Sequence, residues 1–139
     1  MTKYITKVTS DDIANGIKDE FGVIYSPDGK RLLKSTQSDL KYYMVHKNTE
    51  VICDDAFYEE LAIGCCPNPG VYLREIRLPE SVKAIGDNVF KGSLLSLINL
   101  PEGLIQIGNY AFFKVHPKSG VTECMIHGLD GGHRAKFGQ

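Results

Sequence analysis

The chain is 139 residues long, enough for one domain with its own apolar core and no need of disulfides or a metal as staples. Its 42% hydrophobic and 24% charged residues are those of an ordinary globular protein, which excludes disorder throughout. With 16 Lys+Arg against 17 Asp+Glu the net charge is -1 and no run of like charge forms, which argues against nucleic acid as a partner; no apolar stretch approaches the ~18 residues of a membrane span.

Taken in chain order, Thr9 or Ser10 ahead of Asp11 and Asp12 marks a helix start. Ile13, Ile17 and Phe21 follow at helical spacing, which predicts a helix of about ten residues. Gly22-Val23-Ile24-Tyr25 and Arg31-Leu32-Leu33-Lys34 then flank Ser26-Pro27-Asp28-Gly29-Lys30. Pro presets that turn and Asp-Gly closes it, so a β-hairpin is predicted.

Beyond the hairpin the chain repeats itself. Leu73, Ile76, Leu78-Pro79, Val82, Ile85-Gly86 and Val89-Phe90 return 22 positions later as Leu95, Ile98, Leu100-Pro101, Leu104, Ile107-Gly108 and Ala111-Phe112. A looser first copy places Leu40, Tyr43, Val45, Ile52 and Ala56-Phe57 at the same points, 33 positions ahead of the second copy. In it His46 stands where the later copies have Pro, and Cys53 where they have Gly. The extra residues form an insertion at about 59–71, where Cys65-Cys66-Pro67-Asn68-Pro69-Gly70 reads as a loop and Glu59 to Ile63 reads either as part of it or as an extension of the preceding helical turn. A fourth copy begins with Val121, Cys124 and Ile126 but never completes, so one last strand is expected to close the stack. This divides the chain into a cap at 1–39, repeats at 40–127 and a flexible tail at 128–139.

Within each copy Ile76 and Leu78 alternate with Glu75 and Arg77, which gives a strand with one side inward and one outward, ended by Pro79. Val82 and Ile85 turn inward again, Gly86 permits a tight bend, and Asp87-Asn88 can cap a turn that holds Val89-Phe90. No copy can bury its own apolar side, so neighbouring copies must cover one another, with Phe57, Phe90 and Phe112 in one column.

Groups able to do chemistry are present, but in patterns that favour structural roles. The four cysteines form no C-x-x-C pair and the four histidines no H-x-x-x-H pair, so no metal and no cofactor is expected. Cys124 falls at the inward strand position of Ile76 and Ile98 and reads as a buried thiol; the cysteines as a set read as free. His46 and His127 read as solvated rim residues, and Asp54-Asp55 and Glu59-Glu60 as acids serving helical turns. Gly128-Leu129-Asp130-Gly131-Gly132 lacks the strand and helix of a phosphate loop.

The pattern Leu-x-x-Ile-x-Leu-Pro-x-x-Val-x-x-Ile-Gly-x-x-Val-Phe resembles the BspA-like leucine-rich repeat, and Val23 to Leu32 resembles the hairpin often found just before such repeats. The resemblance spans about residues 21–127. It implies a β-rich α/β fold: a right-handed leucine-rich-repeat solenoid with a short parallel sheet, capped N-terminally by the helix and hairpin. It also implies a non-catalytic interaction protein, not an enzyme, from a family often associated with cell surfaces. The partner is then a protein or glycan, without membrane insertion; a small structural protein that self-associates is the alternative. The chain reads as cytoplasmic if Met1 is its natural start, and as surface-bound or secreted if an export signal has been removed. Outward strand positions define the candidate binding face, with one row of Tyr42, Glu75, Leu97 and Glu123 and a second of Met44, Arg77, Asn99 and Met125.

Overall fold

The computed structural model describes residues 4–37, 40–58 and 72–112, together with the backbone of residues 125–127. The cysteines Cys65, Cys66 and Cys124, the insertion and the tail lie outside the described residues.

The N-terminal segment leads into α1 (Ser10–Asn15), followed by β1 (Ile17–Lys18), β2 (Val23–Tyr25) and β3 (Arg31–Ser35). Thr9 caps α1: its hydroxyl accepts the Asp12 N–H, and the Asp12 carboxylate accepts the Thr9 N–H. The helix is shorter than its apolar spacing predicts. It stops at Gly16, which is extended, and Ile17–Lys18 instead pair antiparallel with Tyr25 and Ile24. Ile17 and Phe21 are accordingly exposed and share no helical face. Two strand residues seated against the hairpin satisfy more backbone groups than another turn of an isolated short helix would, since such helices draw their stability from packing.

The repeats build two sheets. Each of the first three copies gives one strand to a four-stranded sheet, as β4 (Tyr42–Met44), β6 (Glu75–Arg77) and β8 (Leu97–Asn99), with β10 (Met125–His127) at the end. The same copies give a second, two-residue strand, β5 (Val51–Ile52), β7 (Ala84–Ile85) and β9 (Gln106–Ile107). These continue in parallel from β3, making a six-stranded sheet in the order β1-β2-β3-β5-β7-β9. The pairings keep the sequence offsets, with Tyr43 beside Ile76 and Ile52 beside Ile85 at 33, and Ile76 beside Ile98 and Ile85 beside Ile107 at 22. One parallel sheet is what the pattern predicts; two-residue strands are too short to show alternation, so the second ladder leaves no periodic trace.

The core lies between the sheets. Tyr43, Ile76 and Ile98 come from the four-stranded sheet and Leu32, Ile52 and Ile85 from the six-stranded one. The phenylalanine column is present: Phe57, Phe90 and Phe112 are buried and stack with centroids 5.7 and 5.4 Å apart. A smaller cluster of Ile24, Leu33, Val51, Cys53 and Ala84 faces the other way and is covered by Tyr4, Val8 and Ile13. The N-terminal segment and α1 therefore cover the outer surface of the six-stranded sheet, not the end of the stack where a helical cap is expected. That surface carries apolar side chains of four successive strands, β2, β3, β5 and β7, and covering them removes this apolar area from water.

Asp54 and Asp87 stitch copy to copy. The Asp54 carboxylate accepts the Asp87 N–H at 2.7 Å, and the Asp87 carboxylate accepts the Asn109 N–H at 2.7 Å. The residues that follow Asp54, Asp87 and Asn109, namely Asp55, Asn88 and Tyr110, all hold φ near +60°, so each copy turns through the same left-handed bend.

Candidate functional site

On the four-stranded sheet the middle residue of each repeat strand is buried and its neighbours face out. Tyr43, Ile76 and Ile98 are buried, whereas Tyr42 and Met44 are 61% and 73% exposed. Strand alternation fixes this outcome, since successive side chains point to opposite faces. In register, Tyr42 lies beside Glu75, Glu75 beside Leu97, and Met44 beside Arg77. Arg77 Nε donates to Glu75 Oε2 at 2.8 Å, so the charges at the centre of the face neutralise each other along β6. Tyr42, Tyr43, Met44, Glu75 and Arg77 line a shallow hollow of about 420 Å³.

Asn99 plays a different part from the one its outward position suggests. Its amide accepts the Leu78 N–H at 2.8 Å and donates to the Leu78 carbonyl at 2.9 Å. It clamps the end of the preceding strand, and its hydrogen-bonding capacity toward solvent is reduced accordingly.

The fourth strand sits two residues out of the expected register. Met125 pairs with Leu97, Ile126 with Ile98 and His127 with Asn99, so Ile126 and not Cys124 follows the central Ile76 and Ile98. Met125 joins the row of Tyr42 rather than that of Met44, and Glu123 lies outside the described residues. A slip of two keeps the alternation of faces intact, so alternation alone cannot choose between the registers. An Ile at the central position follows the preference of a strand core over a Cys.

Tyr43 is held from beneath by a network that spans the hairpin and the first repeat. Its hydroxyl donates to Asp19 Oδ2 at 2.6 Å and lies 2.6 Å from the Tyr25 hydroxyl. Because the Tyr43 proton goes to Asp19, Tyr25 donates to Tyr43 and accepts the His46 N–H at 3.2 Å. His46 Nε2 donates to Asp19 Oδ2 at 2.9 Å, and the ring stacks on Tyr25 at 4.1 Å. Asp19 Oδ1 takes the backbone N–H groups of Phe21 and Val23. His46 is thus a tether between hairpin and repeat, not a freely solvated rim residue; in place of the Pro of later copies it keeps the turn, with Thr49 N–H reaching the His46 carbonyl as Val82 reaches Pro79. A signal for the network was available, since Tyr25 and Tyr43 both occupy inward positions and a buried tyrosine hydroxyl needs a partner.

Burial raises the Tyr25 hydroxyl to about 12 and pushes Tyr43 up as well, the latter reinforced by its bond to Asp19. For Asp19, burial raises the carboxyl, but the bonds from Tyr43, Val23, Phe21 and His46 outweigh it and hold the group below the usual carboxylate range. The folded value lies under the unfolded one, so Asp19 stabilises the fold above about pH 4 and loses that contribution as pH falls through the folded value. Asp19→Asn is expected to cost about 1–3 kcal/mol at pH 7. Urea midpoints followed from pH 7 down to 3 should fall less steeply for this variant below about pH 4 than for the native chain. Identical acid slopes would remove Asp19 from the account.

Hollows of about 430 and 600 Å³ lie where the N-terminal segment meets the six-stranded sheet. Their acids include Asp54 and Asp87, whose Oδ1 atoms already accept backbone N–H groups. Among the described residues no three His, Cys, Asp or Glu side chains converge as a metal site requires, and no helix is long and apolar enough to cross a membrane. Cys53 is buried, and its thiol is pushed up to about 11 by burial, against the opposing pull of Arg31. Such a thiol is a poor nucleophile.

In comparisons with known proteins, residues 65–122 match the family described as BspA type leucine rich repeat region (6 copies). No curated protein and no solved structure matches the chain. The family match begins after the first copy, yet the pairings of β4 with β6 and β5 with β7 seat residues 40–58 in the same two ladders.

Proposed function

We propose, from the match of residues 65–122 to the BspA-type leucine-rich repeat family, that the protein is a non-catalytic binding module whose partner, a protein or a glycan, docks on the exposed face of the four-stranded sheet. Leucine-rich repeats generally mediate protein interaction, and stacked repeats form extended surfaces suited to it. We read the chain as a short solenoid closed at its beginning by the hairpin. One observation carries the reading: Tyr42 and Met44 stand exposed beside the Glu75–Arg77 pair on a strand whose middle residue, Tyr43, is held from below by hydrogen bonds to Asp19 and Tyr25. Amphipathic side chains on a rigid support meet a partner with little ordering cost, which is how a few residues come to dominate an interface.

Tyr42, Met44, Glu75, Arg77 and Leu97 form the face, Met125 extends the row of Leu97, and Asn99 supports it. Tyr42→Ala combined with Arg77→Ala is expected to weaken capture of the natural partner from cell extract by about tenfold or more, equivalent to ~1.4 kcal/mol, while the urea midpoint stays nearly unchanged. Unaltered capture by the folded double variant would move the site elsewhere. Self-association is the second reading, favoured by β4 and β10 both being edge strands of one parallel sheet. Light scattering separates the two, because an assembling unit gains mass with concentration and a monomeric binder does not.

A further inference from the structure

We propose that the open edge of β4 receives an extended peptide segment of acidic character as an added strand. This rests on the reading of the face given above and names the occupant.

In a parallel ladder alternate residues of a strand direct both N–H and C=O to the same neighbour. From β6, the Arg74 N–H reaches the Lys41 carbonyl at 2.8 Å, and the Arg77 carbonyl takes the Val45 N–H at 3.0 Å. Residues 41, 43 and 45 therefore face β6, and Tyr42 and Met44 direct their N–H and C=O groups to the other side. No strand stands there among the described residues, since β4 ends the sheet.

What such an edge recognises is another backbone. Its donors and acceptors recur at strand spacing, about 6.6–6.8 Å for every second residue, which an extended peptide matches and the scattered hydroxyls of a sugar do not. Natural edges are blunted by charges on the strand itself. This one carries Tyr42 and Met44 instead, with the half-exposed Phe21 ring 6.0 Å from that of Tyr43. Charge fixes the chemistry of the occupant. Lys41 and Lys47 precede and follow the strand, both exposed and without an ion pair among the described residues. The acid on the face and the one beneath it are engaged, Glu75 by Arg77 and Asp19 by Tyr43 and His46. A segment with apolar alternate positions and acidic ends is complementary to this edge.

The test uses the full chain, labelled with nitrogen-15, and three short capped peptides. The first alternates valine and threonine between terminal aspartates, the second has the same sequence with alternate amides N-methylated, and the third replaces aspartate by lysine. The expected result is slowed hydrogen exchange at the Tyr42 and Met44 amides with the first peptide alone. Lys41→Glu with Lys47→Glu, a pair of surface changes that leave the core untouched, should weaken its binding by about tenfold at low salt. Equal binding of the methylated peptide, or equal binding of the lysine-ended one, overturns the proposal. So does exchange protection at Tyr42 and Met44 that grows with protein concentration and needs no peptide, which would assign the edge to a second copy. Peptide-induced shifts across Tyr42 and Arg77 without amide protection would overturn strand addition while leaving the binding face standing.

Discussion

Phe90→Ala is expected to destabilise the protein by about 3–5 kcal/mol, a large share of the ~5–15 kcal/mol that holds a domain together. Phe90 is fully buried and is the middle ring of the column, with Phe57 stacked at 5.7 Å on one side and Phe112 at 5.4 Å on the other. Truncation removes the burial of one ring, leaves a cavity between two others and ends both stacking contacts. The walls of that cavity are consecutive copies tied by strand ladders and by the Asp54 and Asp87 bonds, so they close only partly. Phe90→Leu, which keeps much of the volume, is expected to cost markedly less. A denaturant titration checks both; a loss under about 1 kcal/mol for the alanine would show that the copies do not depend on the column.

Gly86→Ala is the second large effect, expected at about 1–3 kcal/mol although it adds only a methyl group. A Cβ at Gly86 would meet the Asp54 backbone, 2.7 Å from its nitrogen and 3.0 Å from its Cα, and would collide with the Asp54 carboxylate that accepts the Asp87 N–H. A side-chain tip can swing away, but the backbone of the preceding copy cannot move without opening the β5–β7 pairing. Gly108→Ala repeats the test one copy later, where the Cβ would meet Asp87 N at 2.5 Å. Gly29→Ala offers the contrast: space is open there and only its φ of +76° opposes the change. Thermal melting that ranks Gly86→Ala and Gly108→Ala no worse than Gly29→Ala would contradict the close approach of successive copies.

The same geometry explains a departure that the sequence shows but does not account for. Cys53 stands at the position of Gly86 and Gly108, and it fits because the layer before it is no repeat. Its N–H bonds to the Leu32 carbonyl of the hairpin, while Asp54 N–H bonds to Thr6 of the N-terminal segment. A side chain has room there, and the sulfur fills it among Leu33, Val51 and Ala84.

The stacking order was legible because each copy carries the inward and outward alternation of a strand and the phenylalanine at a fixed offset, and those are the features that packing reads. The remainder was hidden for particular reasons. Ile13, Ile17 and Phe21 carry a helical period, but pairing of Ile17–Lys18 with β2 overrides it. The N-terminal segment is fixed by Tyr4, whose N–H and carbonyl are both met by the Gln106 amide, a contact 102 residues distant that no local pattern reports. The outward rows of β4, β6 and β8 were readable from alternation, whereas the two-residue slip at β10 was not, because both registers present the same face.

The central claim, that the face of the four-stranded sheet is the docking surface, is tested most directly by hydrogen exchange on the native chain with and without its captured partner. Slowed exchange is expected to concentrate in residues 42–44 and 75–77, with the segment 4–15 unchanged. Protection confined to the segment 4–15 or to residues 83–87, with the face exchanging as before, would contradict it.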